Sequence, residues 1–569
     1  MLERLRQRAE RAVFFGRVLR ATGAATLLRP AALGRLVRSA SRTKIGPHLA
    51  VMFHAAAHPD KEALVEYAEG WQTDPACVRR LTWGALDATV NRLANALADR
   101  GVHGGARVAL MLPNGSEFLV AQLALARLGA TAVQIGYRLK AGEIAFILGN
   151  APPAATVVHA EFLSAMGEAR AATGQAGPLL VVGQPASGGA PLPTHATTWD
   201  RALGAAAADQ PPVSRAGDGG GIIIYTSGTT GKPKGANRSW KQTGLESVAD
   251  MMLQAGMRAD DRHLTVCPLY HSAAPAFVGI TMALGATVVL MNHFDPAGAL
   301  AIIDRERITS TMMVPTMLVR ITNLPPAELA RHRQSSLRWI MSGAAPLATE
   351  TARRTMAVFG PTLWNFYGAT ETGLVTMAGP QDHLARPGTI GRALRGNTIR
   401  LVDDAGHDVP CGEVGELYAR NTTLMSGYHD DAAATSAAEL DGYYSVGDLG
   451  RVDADGYYYL ESRKHDMVIS GGVNIYPREI EDHLHAHPAI LEAAVVGVPD
   501  PEWGETLRAY VVLRDGFELT EPELVDYCRR ELADFKRPRS VVFLAELPRN
   551  PTGKVLKRDL RGAGSRGDA

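Results

Sequence analysis

Cysteine is scarce in this chain: Cys77, Cys267, Cys411 and Cys528 stand far apart, with no CxxC pair and no Cys/His cluster. That pattern excludes a disulfide framework and a structural zinc site, and it fits a reducing cytoplasm. An excess of one charge is lacking too, since 59 basic side chains face 58 acidic ones. No global field draws the chain to nucleic acid or other polyanions, so partners must be read from local patches. Long uncharged apolar runs are also missing. The stretch around Phe14 and Phe15 is interrupted by Arg11, Arg17 and Arg20, which rules it out as a membrane span or the apolar part of a secretory leader. There is no fixed-period repeat, coiled coil or structurally meaningful low-complexity tract.

What is present is a chain of 569 residues, 46% of them hydrophobic, enough to bury several cores and to form more than one domain. Residues 1–45 form a basic arm in which Arg4, Arg6, Arg8, Arg11, Arg17 and Arg20 alternate with Leu2, Leu5, Val13, Phe14, Phe15, Val18 and Leu19. Two readings stand side by side. The arm is either an amphipathic helix lying on an anionic membrane surface, or a solvated helix or extension packing on the body of the protein.

After residue 46 the hydrophobic pattern alternates between helical and strand periods, which predicts an α/β protein. Thr82 caps a predicted helix whose Leu86, Val90, Leu93 and Leu97 recur at three- and four-residue spacing, and Gly101 ends it. RVALMLP, residues 107–113, then reads as a buried strand, residues 116–128 as a helix and ATAVQIG as a returning strand, together a βαβ unit of a parallel sheet. Residues 183–221, rich in Ala, Pro, Gly and Ser, read as mostly loop before the short strand Ile222–Tyr225. Beyond about residue 460 the units shorten. AYVVLRD and SVVFLAEL read as strands around the helix TEPELVDYCRRELADF, a small α+β domain joined through the charged stretch ESRKHDM, residues 461–467.

The strongest chemical signal is YTSGTTGKPKG, residues 225–235, directly after a β-branched strand. Its glycines let backbone approach phosphate oxygens, its hydroxyls add neutral donors, and Lys232 and Lys234 supply positive charge. A lone glycine-rich loop is most often a polar surface turn, but this density of hydroxyls, glycines and lysines in one run argues for anion binding. It is not a Walker loop: the GxxxxGK[ST] spacing is absent and Pro233 follows Lys232.

With this run the chain resembles the adenylate-forming superfamily of acyl-CoA synthetases, luciferases and peptide-synthetase adenylation domains, and further motifs recur in order from about residue 47 to residue 560. The resemblance implies a large N-terminal domain of parallel sheets with flanking helices, residues 46–461, a hinge at 462–466, a small mobile α+β lid at 467–560, and a tail at 561–569. It implies ATP, Mg²⁺ and coenzyme A as reactants and cofactor. Thr226, Ser227, Gly228, Thr229, Thr230, Gly231, Lys232 and Lys234 are then the phosphate loop. In SGAAPL, Gly343, Ala344 and Ala345 let flat adenine lie against the backbone. In NFYGATETG, Tyr367 stacks on adenine beside Gly368, Thr370 touches phosphate, and Glu371 with Thr226 holds Mg²⁺. Asp448 of YSVGDLG resembles the acceptor for the ribose hydroxyls, with Arg463 reaching the same sugar, and Gly471 and Gly472 resemble a wall of the pantetheine tunnel. Lys554 of PRNPTGKVLKR matches the lysine that serves adenylation: charge grows on the α-phosphate as the carboxylate attacks, and an ammonium there stabilises it. The chain departs from the family pattern at two positions, with Ser462 where Gly is usual and His465 where the hinge commonly has Asp or Lys. A histidine there suggests a pH-sensitive rotation, against the plainer reading that any polar side chain serves.

The acyl group is expected between the phosphate loop, the helix after PLYHSAAP and the wall around Ser342 and Gly343, with His271 near the carboxylate. His271 reads equally as a satisfied core histidine. Ala273, Ala274, Ala276, Gly279 and Ala283 suggest a roomy apolar channel for a medium or long fatty acid, although helix packing in an alanine-rich chain explains the same letters. The expected activity is an acid–thiol ligase, with acyl-AMP transfer to a carrier protein or a CoA ligase for an aromatic or steroid acid as alternatives. An amino-acid-activating domain fits poorly, since LYHSAAP offers no acid for a substrate amine. A luciferase-type oxygenase shares the first step. A non-catalytic scaffold would tolerate loss of Lys554 and Glu371, and both are present.

Overall fold

The computed structural model describes residues 2–24, 34, 46–184, 192–193, 196–211, 220–226, 234–239, 245–331, 336–422, 424–550 and 554–563, with backbone alone at 2–8, 226 and 562–563. Among these, the N-terminal body is built on two sheets. The smaller sheet orders its strands Ala196–Thr198, Leu179–Val182, Ala155–His159, Arg107–Met111, Thr131–Gln134 and Gly221–Thr226, all parallel, and closes with antiparallel Lys234–Ser239. The expected βαβ unit is present: Arg107–Met111, helix Ser116–Leu128 and Thr131–Gln134, with Gly129 at φ 70° ending the helix. That helix is apolar on nearly every side because it lies between the two sheets. Helix Trp83–Ala98 is capped by the Thr82 hydroxyl, which accepts from the Ala85 amide.

One expectation needs correcting. The stretch read as loop before residue 221 contains strand Ala196–Thr198 and helix Trp199–Ala205. Thr198 caps the helix and Trp199 is buried, so a single tertiary anchor orders a segment whose composition signals turns.

The larger sheet runs parallel through Glu62–Tyr67, Thr287–Met291, Arg262–Thr265, Ser310–Met313, Trp339–Ser342 and Leu363–Ala369. It continues antiparallel through Gly373–Ala378, Thr389–Ala393, Tyr458–Arg463, Tyr443–Val452, Gly415–Arg420 and Thr398–Val402. From Val468 a smaller α+β unit follows. Its sheet orders Val473–Ile475, Val468–Ser470, Gly504–Leu513 and Ile490–Asp500, Ser540–Phe543 adds parallel to Gly504–Leu513, and helices Pro477–His485 and Glu521–Glu531 cover it. Arg478 of this unit donates to the Leu347 carbonyl of the body at 2.6 Å, and Arg561 pairs with Asp466 at 2.8 Å across the join.

The basic arm forms helix Leu2–Ala21, and its second half packs on helix Leu245–Ala255 of the body. Arg11 pairs with Glu246 at 2.6 Å, the Arg395 guanidinium lies 4.5 Å from the centre of the Phe14 ring, Val18 is buried, and the Ala259 amide donates to the Thr22 carbonyl at 2.8 Å. Among the described residues no helix is long and apolar enough to cross a membrane.

Candidate active site

The phosphate-loop candidate is held at both ends by the smaller sheet. Thr226 ends one strand, Lys234 begins its antiparallel neighbour, and the two are register partners. Ser227, Gly228, Thr229, Thr230, Gly231 and Lys232 lie outside the described residues, as does the Thr226 side chain. Lys234 is placed with its ammonium 5.2 Å from the centre of the Tyr428 ring, and it lines a cleft of about 1500 Å³ between the body and the C-terminal unit.

Gly368, Thr370 and Glu371 line the same cleft, carried there by the hairpin of Leu363–Ala369 and Gly373–Ala378. The Thr370 and Ser272 hydroxyls are 3.1 Å apart, and Arg238 donates to the Thr370 carbonyl at 3.1 Å. The Glu371 carboxylate is buried and accepts the Tyr428 hydroxyl at 3.1 Å. Burial lowers the Arg238 guanidinium, and the Glu371 carboxylate, which lines the same cleft, opposes that shift. Among the described residues no group of three His, Cys, Asp or Glu side chains could hold a metal by itself. One buried carboxylate at a phosphate-binding cleft suits Mg²⁺, which takes one or two protein carboxylates and completes its shell with phosphate and water oxygens. Glu371→Gln should therefore lower turnover at limiting Mg²⁺ by at least about tenfold, with partial recovery at higher Mg²⁺. A Mg²⁺ titration of pyrophosphate release decides it, and an unchanged curve removes Glu371 from the metal's neighbourhood.

The ribose candidates converge by register. Asp448 and Arg463 are opposed residues on antiparallel strands, with Arg463 Nε 3.2 Å from Asp448 Oδ1, and Arg463 lines the cleft. The Tyr367 hydroxyl donates to Asp448 Oδ2 at 2.9 Å, and its ring is buried with Val375, Ile390, Leu401, Leu417 and Ala419. Burial, then Asp448, raises the Tyr367 phenol well above its ordinary value, so it stays a donor to that carboxylate. In this arrangement Tyr367 holds Asp448, while its neighbour Phe366, which carries no signal in the sequence, lines the open cleft. Phe366 also explains Gly343: a Cβ there would stand 2.5 Å from the Phe366 ring. Of the three small residues Gly343, Ala344 and Ala345, Ala344 lines the cleft, in a left-handed backbone conformation with φ 65°.

Lys554 reaches the cleft from the C-terminal unit. Its amide donates to Asn550 Oδ1 at 2.9 Å, and the Asn550 amide donates to the Lys554 carbonyl, which closes a short loop whose middle lies outside the described residues. Burial pushes the largely enclosed Lys554 ammonium down to about 8; Arg463 and Lys557 push the same way, and Asp448 and Asp466 oppose. Gly471 and Gly472 are not brought to this cleft. They form the turn between Val468–Ser470 and Val473–Ile475, with positive φ at both, and a Cβ on Gly471 would meet the Trp503 ring at 2.7 Å. At the join, burial pushes the His465 imidazole below its ordinary value, against Asp466, so its titration lies on the acid side of its usual range.

His271 lines the cleft, and its buried Nε2 has no hydrogen-bond partner. Burial, then Arg138, pushes its imidazole down to about 3, so the ring is neutral and contributes a hydrogen bond, not a positive charge. Behind it the cleft continues along helix Ala273–Ala283: Ala273, Ala276, Gly279 and Ala283 line it, whereas Ala274 turns into the core.

Residues 52–429 match the family model described as AMP-binding enzyme, and residues 479–554 match that of the AMP-binding enzyme C-terminal domain. The chain belongs to the AMP-binding enzyme family. It is 35% identical over 492 residues to a feruloyl-CoA synthase of an Amycolatopsis species, covering 84% of this chain and 93% of that protein. It is 34% identical over 496 residues to the long-chain-fatty-acid–CoA ligase FadD13 of Mycobacterium tuberculosis, covering 86% and 94%. The crystal structure of ATP-bound MatB from Rhodopseudomonas palustris superposes with a TM-score of 0.80 at 28% identity, covering 92% of this chain and 99% of that one. The AMP-binding match begins after the N-terminal helix, so that helix is an addition to the matched region.

Proposed function

We infer that the protein is an ATP-dependent acyl-CoA ligase that first joins a carboxylic acid to AMP and then transfers the acyl group to coenzyme A. The observation that carries this reading is convergence: Lys554 from the C-terminal unit, Arg463 beside Asp448, and Thr370 with Glu371 meet at one cleft that runs on into an alanine-lined channel. In the first step a carboxylate oxygen bonds to the α-phosphorus and pyrophosphate leaves. Lys554 offsets the charge that grows on the α-phosphate, Asp448 accepts from the ribose hydroxyls, and Arg463 reaches the same sugar. Glu371 would hold Mg²⁺, which when bound would supply charge neutralisation for the phosphates. In the second step the coenzyme A sulfur bonds to the acyl carbon, its proton passes to water, and the bond from the acyl carbon to the phosphate oxygen breaks so that AMP leaves. On this reading the C-terminal unit turns about residues 462–466 between the steps, a view supported by Lys554 lining the cleft while Gly471 and Gly472 do not.

The acid is a medium- or long-chain fatty acid, with an aromatic or steroid acid as the alternative; the two relatives are named for a long-chain fatty acid and for a feruloyl group. Pyrophosphate release across such a panel, with and without coenzyme A, tests the reading. Release that never yields a thioester would instead favour acyl-AMP delivery to a carrier protein, and no release with any acid would reject acid activation.

Peripheral contact with an anionic membrane surface on the cytoplasmic side belongs to the same reading. The packed N-terminal helix still exposes Arg17, Arg20, Val13 and Leu19 while Val18 faces the body. Each basic side chain near such a surface contributes about 1 kcal/mol. Arg17→Glu with Arg20→Glu should abolish salt-sensitive sedimentation with anionic vesicles while leaving soluble turnover intact. Equal pelleting of both proteins, or of neither, would remove the membrane role. Charge reversal is a cleaner test than truncation, because deleting residues 1–44 uncovers helix Leu245–Ala255.

A further inference from the structure

The acyl channel contains a side chain that an apolar channel does not explain. Gln134 ends the strand Thr131–Gln134 on the face that carries Ala132, Leu110 and Val157 into the core between the two sheets. It is 2% exposed and lines the cavity, yet both its Oε1 and its Nε2 are buried without a hydrogen-bond partner. The Tyr270 hydroxyl is a second such group: buried, unpartnered and lining the same cavity. Tyr270 lies against Gly136, two residues along the chain from Gln134: a Cβ there would stand 3.0 Å from the Tyr270 ring. Ile224, the register partner of Gln134, lines the same cavity with Ile222, Ala276 and Ile280, and a Cβ on Gly279 of its wall would meet nothing within 4 Å, so the cavity has room for a ligand group.

A buried amide with neither donor nor acceptor satisfied is costly and persists where something else pairs with it. Water can do so in the free enzyme, because the site is polar and roomy. On the reading that this channel holds the acid to be adenylated, the bound substrate displaces that water and must replace its hydrogen bonds. Gln134 and Tyr270 are both neutral, and each can donate and accept. We propose that the substrate acid carries a neutral oxygen function, a ketone or a hydroxyl, remote from its carboxyl group, and that Gln134 with Tyr270 recognises it. Gln134 is then a specificity-determining residue and takes no part in the chemistry.

The test uses the full chain, ATP and coenzyme A with matched acids: decanoic acid against its 9-oxo, 9-hydroxy and terminal-carboxylate counterparts, and 3-phenylpropanoic acid against its para-hydroxy and para-acetyl counterparts. Pyrophosphate release should give a kcat/KM about tenfold or more higher for a keto or hydroxy member than for its unsubstituted partner. Gln134→Leu, close in volume, and Tyr270→Phe should each erase most of that preference by slowing the oxygenated acid while leaving the unsubstituted one within about twofold. Wild-type preference for the unsubstituted or the terminal-carboxylate acid overturns the proposal, whether or not the variants fold. An equal loss for both members of a pair in folded variants overturns it too, since that marks a packing role. In either case the ligase reading survives, whereas no pyrophosphate release with any acid rejects both.

Discussion

Lys554→Ala should lower adenylate formation by about 10²- to 10³-fold, the effect of removing one preorganised charge-stabilising group worth about 3–4 kcal/mol. Thioester formation from supplied acyl-AMP should remain comparatively intact, because on this reading the C-terminal unit carries Lys554 away from the cleft before that step. The structure adds a pH dependence. With the ammonium pushed down to about 8, it is charged below that pH and loses its proton as pH rises through it. The kcat/KM for adenylation, which reports the free enzyme, should fall above about pH 8, and the Lys554→Ala profile should lack that limb. Single-turnover measurements of the two half-reactions across pH 6.5–9.5 check both points. Equal losses in the two steps, or a limb that persists in the variant, would take Lys554 out of the first step.

Gly368→Ala should be the most damaging small substitution in the cleft. Gly368 sits at a register shift in the hairpin, between Tyr367 and the Thr370–Glu371 pair, and a Cβ there would stand 1.9 Å from the Gly373 carbonyl oxygen and 2.9 Å from its carbon. These are backbone atoms, so no side-chain rotation relieves the overlap and the strands must part. The expected cost is at least about 3 kcal/mol of stability. Thr370 and Glu371 should be displaced with the hairpin, taking pyrophosphate release with them. Gly142→Ala is the control, because Gly142 lies in helix Ala141–Asn150 with nothing within 4 Å of the added methyl, and alanine there should be neutral or stabilising. Denaturant unfolding of the two variants settles the matter: similar midpoints, with activity retained at Gly368→Ala, would mean the hairpin tolerates what the geometry forbids.

Gln134 shows why part of the site was hidden in the sequence. In the run ATAVQIG it reads as one polar letter in a strand, with nothing to say which face it takes. Phe366 was equally silent, since its importance lies in the ring's approach to Gly343, 23 positions earlier in the chain. Tyr428 and Arg238, which support Glu371 and Thr370, have no local signature because their partners are more than fifty residues away.

By itself the sequence determined what local chemistry can encode: the α/β alternation, the Thr82 cap, the left-handed stop at Gly101, the hydroxyl- and glycine-rich loop, and through its ordered motifs the family. These rest on backbone propensities and hydrogen bonds between near neighbours, which a short window of residues contains in full. Tertiary structure alone decided the rest. Strand register set Asp448 opposite Arg463, and burial of Trp199 ordered a segment whose letters read as loop. Glu246 and Arg395 drew the basic arm onto the body, where the sequence had left two readings open. The packing of two sheets turned Gln134 inward. In each case the deciding energy comes from groups distant in the chain, so no window of neighbouring residues holds it.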